Sequence, residues 1–582
     1  MKTKITIKLI TLLLLVSIYG IAQTVLVVEP GIGTLNTAIN TYKGTRIYEL
    51  KAGEWYQLSA IIENVDYHLQ IIGQKPINGG MPATVQTGTD ASGAVLFQMF
   101  TTKGDITLKN IYFVNADLLG VTATYFSINS KKDSRTIIDN CVIDPVCQAN
   151  GIQFEQSNAK MYFTNNLCIR AGHQLAPNDG FMFVTQNNSG AGFDSLLVQN
   201  NTFVCMGTGM HAGGYNAVVD NYSKWDHNTF VEQKSQIDWQ IWEKEYYWTN
   251  NLMFDVQTQP WSPSWQPMPG ADKGFPLPGM IYADTIPGDI LPSTTVQFVE
   301  YNMHYRNPKF YSMVSELNAQ GKIDGKTTIL NLQSIIWPKD STSSRETNMF
   351  ANDTSFPLWK YGNTTTDVDP QWADSRIYTM SDNFVKWTKP ATMIHAMNYA
   401  PNSLPPASAW TQFFWDPDGD VSNNSTWPVF NGVYSNAAML IGSIEGLPLG
   451  DLNWFPTAKA LWTKNKTRID DHMRAAVESK LDMISGFKSL NLSDIKTTCY
   501  PNPFTNELTI SYSVKIQADV KLTILTLNGQ TVKELVNRSE AVGEYSAKWN
   551  GENHSGETLP NGLYLYRLQI GNEVASARIL KK

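Results

Sequence analysis

The chain has 582 residues and a formal net charge of −7, with no basic block, which argues against nucleic acid as a partner. Beyond the first two dozen residues no stretch is long and apolar enough to span a bilayer. The 17 tryptophans, with plentiful Asn, Gly and Thr, suit an exported protein whose rings stack on sugars, and equally an aromatic core.

In chain order, residues 1–22 read as an export signal. Lys2, Lys4 and Lys8 supply the positive start, Leu9 to Ile21 the apolar core, and Gly20 and Ala22 the small residues at a cleavage site before Gln23. The mature chain is therefore expected outside the cytoplasm, extracellular or on the outer-membrane surface. Next, Leu35, Ala38, Ile39 and Tyr42 share one helical face and predict a helix over 34–42, suited to capping a solenoid. Strands are expected at Arg46–Leu50, Ala60–Ile62 and Leu69–Ile72.

An asparagine then recurs inside short β-branched and aromatic runs, at Asn110, Asn140, Asn166, Asn201, Asn228, Asn251 and Asn302. The steps are 30, 26, 35, 27, 23 and 51 residues. A strand-rich unit repeating in the twenties, with insertions, predicts a β-solenoid. Asn tolerates the left-handed backbone of a tight turn, and stacked amides can bond coil to coil. These seven positions are read as a structural ladder, with the register open by one residue where two asparagines stand in tandem.

The cap and the asparagine-marked coils resemble the pectate-lyase-like superfamily. The resemblance implies an all-β, right-handed parallel β-helix over residues 23–395, with Asp367–Asp374 in its final coils. It also implies polysaccharide as the partner, approached along a groove on one face. Lyases of this kind use a Lys, Arg or His base, often with Ca²⁺, and glycosidases use paired carboxylates. Neither a pectate-lyase Arg-x-Pro-x-x-Arg run nor a spaced polygalacturonase Asp pair is present.

Counting back from each asparagine places Gly151–Glu155, Gly180–Val184, Gly209–His211 and Ile237–Gln240 in one stacked sheet. Beside it come the polar insertion Arg170–Asp179 and the run Trp242–Glu245. Glu155, Arg170, His173, Asp179, His211, Asp238, Gln240 and Lys244 are thereby candidates for one groove. His211, Arg170, His173 and Lys244 have acid–base chemistry, and Glu155, Asp179, Asp238 and Gln240 suit hydrogen bonds to a glycan. A solvated sheet face is the alternative.

Residues 396–484 are dense in Trp, Pro and Asn, then place Leu461, Ile469, Met473, Val477 and Leu481 at helical spacing. A loop and a helix packed on the solenoid are expected. Asp416, Asp418 and Asp420 alternate around a Gly turn, a spacing that suits Ca²⁺ and equally a plain Asp-rich turn. Residues 485–497 read as a linker.

Short alternating strands with Asn-Gly turns over 498–582 predict a small Ig-like β-sandwich. Tyr500-Pro-Asn-Pro-Phe504, Leu527-Asn-Gly-Gln530, Trp549-Asn-Gly551, Leu559-Pro-Asn-Gly-Leu-Tyr564 and Arg578-Ile-Leu-Lys-Lys582 resemble the C-terminal sorting domain of Bacteroidetes type IX secretion cargo. That resemblance implies the type IX machinery as a partner.

The five cysteines match no zinc pattern, and buried free thiols are expected. Two functions remain open: an exported β-helix enzyme attacking polysaccharide, by elimination ahead of hydrolysis, and a non-catalytic glycan-binding or adhesin-like surface protein.

Overall fold

Each asparagine-marked repeat is a coil of short parallel strands. In the computed structural model these strands join three sheets. Sheet A stacks 11 strands from Thr24–Val28 to Trp359–Gly362, sheet B stacks 11 from Gly31–Ile32 to Thr365–Thr366, and sheet C stacks eight from Ile62–Val65 to Ile281–Ala283. The chain is thus a parallel β-helix followed by an Ig-like sandwich. The structure describes residues 23–172, 180–185, 190–207, 210–212, 220–234, 238–240, 243–256, 258, 281–283, 295–320, 359–362, 365–366, 368–398, 430–478, 495, 497–515, 517–526, 530–571 and 573–582. The export signal, His173, Asp179, Asp416, Asp418 and Asp420 lie outside them, as do the side chains of Asp238 and Gln240.

Register is kept from coil to coil, so inward residues form columns. One runs Cys168, Phe203, Phe230, Met253 and His304. Phe203 and Phe230 stack with ring centres 5.3 Å apart. Such columns make one continuous buried core.

The cap helix spans Thr34–Tyr42 as expected, with Leu35 and Ile39 buried. A strand, Thr24–Val28, precedes it and pairs with Arg46–Leu50.

The asparagines form two columns rather than one. Asn166, Asn201, Asn228, Asn251 and Asn302 point inward and are all at most 3 % exposed. Each amide donates to the next one's Oδ1, at 3.1, 2.9, 3.1 and 3.1 Å. Asn110 and Asn140 belong elsewhere. Both have a left-handed backbone, at φ 57° and 55°, shared by Asn165, Asn200, His227, Asn250 and Tyr301. At the inward position of the early coils stand Ile111 and Cys141, and Cys141 N donates to Asn166 Oδ1. The expected ladder is correct from Asn166 onward and one residue off before it, because the corner residue and its successor do different jobs.

The outward corner column is where the rest of the chain docks. The solenoid strands end at Thr366, short of residue 395. Trp372 lies instead against the outer face of sheet B, and Arg376–Asn398 is a helix whose Ile377, Met380 and Phe384 are buried at helical spacing. With Phe430, Tyr434 and Leu449 these residues cover Val204, Val231, Leu252 and Phe254 of sheet B. Ile444, Leu452, Trp462, Ile469 and Met473 cover Tyr247 and Phe298 of sheet A. The expected helix is Pro456–Glu478. Polar bonds fix the register of this wrap: Ile444 N donates to Asn250 Oδ1 at 2.9 Å, Asn453 Nδ2 to Asn200 O at 2.8 Å, and Lys459 Nζ to Asn165 Oδ1. Gly450 has φ 75°, and a Cβ there would meet Thr229 Oγ1 at 2.4 Å, so the contact requires glycine.

The sandwich packs a three-stranded sheet (Thr497–Tyr500, Leu508–Val514, Gly543–Trp549) on a four-stranded one (Ala518–Thr526, Thr531–Glu540, Gly562–Ile570, Glu573–Lys581). Its first strand begins at Thr497, inside the expected linker. Phe504, Ile510, Leu522, Trp549 and Leu568 form its core. Leu525 and Leu565 touch Ile441 of the wrap, and the Arg578 guanidinium stacks 4.9 Å from the Tyr301 ring centre. All five cysteines are free thiols, four of them buried.

Candidate functional site

The wrap takes its apolar contacts from sheets A and B. Sheet C is exposed at its early coils, at Glu63, Val65 and Lys103, whereas its outward Gln153 and Val184 are buried. Its strands Asn150–Phe154, Phe181–Val184, His211–Ala212 and Asp238–Gln240 are neighbours in one sheet, as counting back from the asparagines predicts. Pleating sorts their residues into two columns. Glu63, Thr101, Ile128, Gln153, Val184 and Ala212 share one register, with Glu63 exposed and Thr101 and Ile128 half-buried. Phe100, Ser127, Ile152, Phe183 and His211 share the other, and Phe100, Ile152 and Phe183 lie in the core. At the start of this face Phe97, 53 % exposed, sits 5.1 Å from Tyr125.

This geometry breaks up the expected groove. His211 is only 1 % exposed, its ring against Phe193 in the interior rather than on the surface. Asp238 pairs with His211 in register, so neither stands beside Gln153. Gln240 is two residues further along the strand from Asp238. Glu155 is half-buried, follows the outward column and accepts from Ser130 Oγ at 2.5 Å. Lys244 lies on sheet A, exposed, and donates to Asn221 Oδ1 at 2.8 Å. Arg170 stands next to last in the sheet B strand Leu167–Ala171, at φ 62°, and its Nε donates to Asp144 Oδ1 at 2.7 Å.

His211 does have acidic company that the sequence reading missed. Asp220 and Glu243 open successive sheet A strands and are register partners. His211, Asp220 and Glu243 are all buried, with one potential ligand atom from each within 4.8 Å of the others. Asp220 is held by a 2.5 Å bond from Phe193 N to Oδ1, and its Oδ2 lies 3.6 Å from His211 Nε2. The signal was present: each acid stands eight residues before an inward asparagine, Asn228 or Asn251.

A second buried polar row follows sheet B. Arg170, Cys205, Glu232 and Asp255 all have positive φ, and the register skips each of them, so they bulge outward under the wrap. Cys205 Sγ donates to Glu232 Oε2 at 3.2 Å. Burial drives both groups well above their ordinary pKa values. Asp255 accepts from Ser381 Oγ at 2.5 Å and Asn307 N at 2.6 Å, yet burial still pushes its carboxyl up to about 7. A folded-state pKa above the unfolded one means that stability is full in acid. It is lost as pH rises from the unfolded value through about 7, then levels off. Asp255→Asn should flatten that part of a Tm-against-pH curve and raise Tm at pH 8, which calorimetry would check.

Residues 504–573 match the FlgD Ig-like domain family. No curated protein matches the chain. Among solved structures, the chain is similar to a PL6 family alginate lyase, AlyGC, at 13 % identity and TM-score 0.26. The match covers 40 % of this chain and only 34 % of that lyase. No helix among the described residues is long and apolar enough to cross a membrane.

Proposed function

We propose that the protein is an exported β-helix that engages polysaccharide along the outer face of sheet C. The observation that carries this reading is the asymmetry of the wrap: among the described residues its apolar contacts go to sheets A and B, and the early coils of sheet C stay exposed at Glu63, Val65 and Lys103. Stacked strands that carry Glu63 and Thr101 in register at the exposed end of the sheet suit a chain of repeating sugars. The exposed Phe97 ring, with half-buried Tyr125 beside it, supplies an apolar surface for a sugar ring. Elimination is the second reading, favoured by the histidine and two carboxylates gathered where sheet C meets sheet A. The C-terminal sandwich, with the motifs quoted above, is proposed to act as a type IX sorting domain that delivers the chain to the cell surface or beyond.

The test is a panel of pectate, alginate, ulvan, glycosaminoglycans and neutral plant glycans, with and without Ca²⁺. Affinity gels report retention, ultraviolet absorbance reports unsaturated ends, and a reducing-sugar assay reports hydrolysis. One glycan should be retained, and Phe97→Ala with Tyr125→Ala should weaken its retention about tenfold. A rise in unsaturated ends would establish the lyase reading. Silence in all three assays would refute the proposal.

A further inference from the structure

We infer that His211, Asp220 and Glu243 form a binding site for one first-row divalent cation of the Zn²⁺ or Mn²⁺ kind. The inference does not depend on the polysaccharide reading. It rests on four features of the site. First, the donor set is mixed, one imidazole and two carboxylates, the combination such ions accept and Ca²⁺, which takes oxygen ligands, does not favour. Second, the donors come from three strands and converge, with one ligand atom from each within 4.8 Å of the others. Third, the 3.6 Å between His211 Nε2 and Asp220 Oδ2 is long for a charge-assisted hydrogen bond. It is close to the separation of about 3.4 Å between two ligands on one tetrahedral ion with bonds of about 2.1 Å. Fourth, Asp220 is already oriented: Phe193 N holds Oδ1 at 2.5 Å and leaves Oδ2 toward the imidazole.

The position explains what the ion would do. His211 belongs to sheet C, and Asp220 and Glu243 to adjacent strands of sheet A. Asp220 and Glu243 are only 5 % and 1 % exposed, where water screens a charge little. A divalent cation held by both and by His211 would tie sheet C to sheet A across the corner between them. In an earlier coil Asn129, Ser134 and Thr136 bond among themselves in the stretch that leads from sheet C to sheet A, with neutral groups alone.

The mature full-length chain, stripped with chelator and dialysed, would be titrated with Zn²⁺, Mn²⁺ or Ca²⁺ alone by calorimetry. Bound metal would be counted by mass spectrometry. The expected result is one equivalent of Zn²⁺ or Mn²⁺, a Tm that rises with its concentration, and no comparable response to Ca²⁺. Glu243→Gln should weaken binding at least tenfold, and His211→Ala more. Should either variant fold poorly, Co²⁺ added to stripped wild type gives a second readout. Visible bands of an imidazole–carboxylate site should appear and be bleached by Zn²⁺. Stripped wild type that takes up neither ion, or folded variants that bind as wild type does, would overturn the assignment.

Discussion

Asn228→Ala should lower the unfolding free energy by about 3 kcal/mol, whereas Asn140→Ala should cost only about 1 kcal/mol. In wild type, Asn228 Nδ2 donates to Val198 O at 2.9 Å and to Asn251 Oδ1 at 3.1 Å. Its Oδ1 accepts from Asn201 N at 3.1 Å and Asn201 Nδ2 at 2.9 Å. Removing the amide orphans several backbone and side-chain groups where no water reaches, and each such group costs roughly 1–3 kcal/mol. Asn140 is exposed and makes one amide bond, to Asn110 Oδ1 at 2.8 Å. Its loss leaves water as a substitute and a left-handed backbone that Ala tolerates poorly. Chemical denaturation of both variants, followed by tryptophan fluorescence, checks the contrast. Equal costs would mean that the two columns are not distinct.

Lys224→Met should destabilise the chain by about 3 kcal/mol near neutral pH, with the deficit shrinking in acid. Lys224 Nζ lies 2.6 Å from Asp470 of the wrap and 3.7 Å from Asp226. Asp226 is fully buried and also accepts from Thr249 Oγ1 and Asn250 Nδ2. Burial pushes its carboxyl up, but Lys224 and His227 outweigh burial and hold it below the ordinary range. A depressed carboxylate contributes stability above its unfolded pKa and loses it as pH falls through the folded one. Met matches the length of the lysine stem but leaves Asp226 to protonate or to sit charged without that cation. The gap between wild type and variant should therefore be widest near neutrality and close toward low pH. Asp470→Asn removes the partner that is 37 % exposed and should cost under about 1 kcal/mol. Denaturation at several pH values reads all three.

The coil repeat was legible because each coil needs an amide at the same corner. The tandem pairs Asn165-Asn166, Asn200-Asn201 and Asn250-Asn251 also advertise both columns. Register failed at Asn110 and Asn140 because Ile111 and Cys141 fill the inward position without an amide, and the outward one alone then looks like the repeat. The wrap was legible only as a helix, since what it touches lies far away in sequence: Leu452 N meets Asn200 Oδ1, 252 residues off. The candidate groove failed for a local reason. Two positive-φ bulges per pair of coils, such as Arg170 and Cys205, shift side-chain direction by a residue, and neither hydropathy nor counting reveals them. His211 was found by its strand, but its carboxylate partners open strands of a different sheet.

Hydrogen exchange with and without acidic oligosaccharides of the pectate and alginate type reads the occupied face strand by strand. Exchange should slow in Ile62–Val65, Phe100–Lys103 and Tyr125–Asn129 of sheet C, with sheets A and B and the sandwich unchanged. Protection confined to the sandwich or the wrap, or none on sheet C, would contradict the polysaccharide reading.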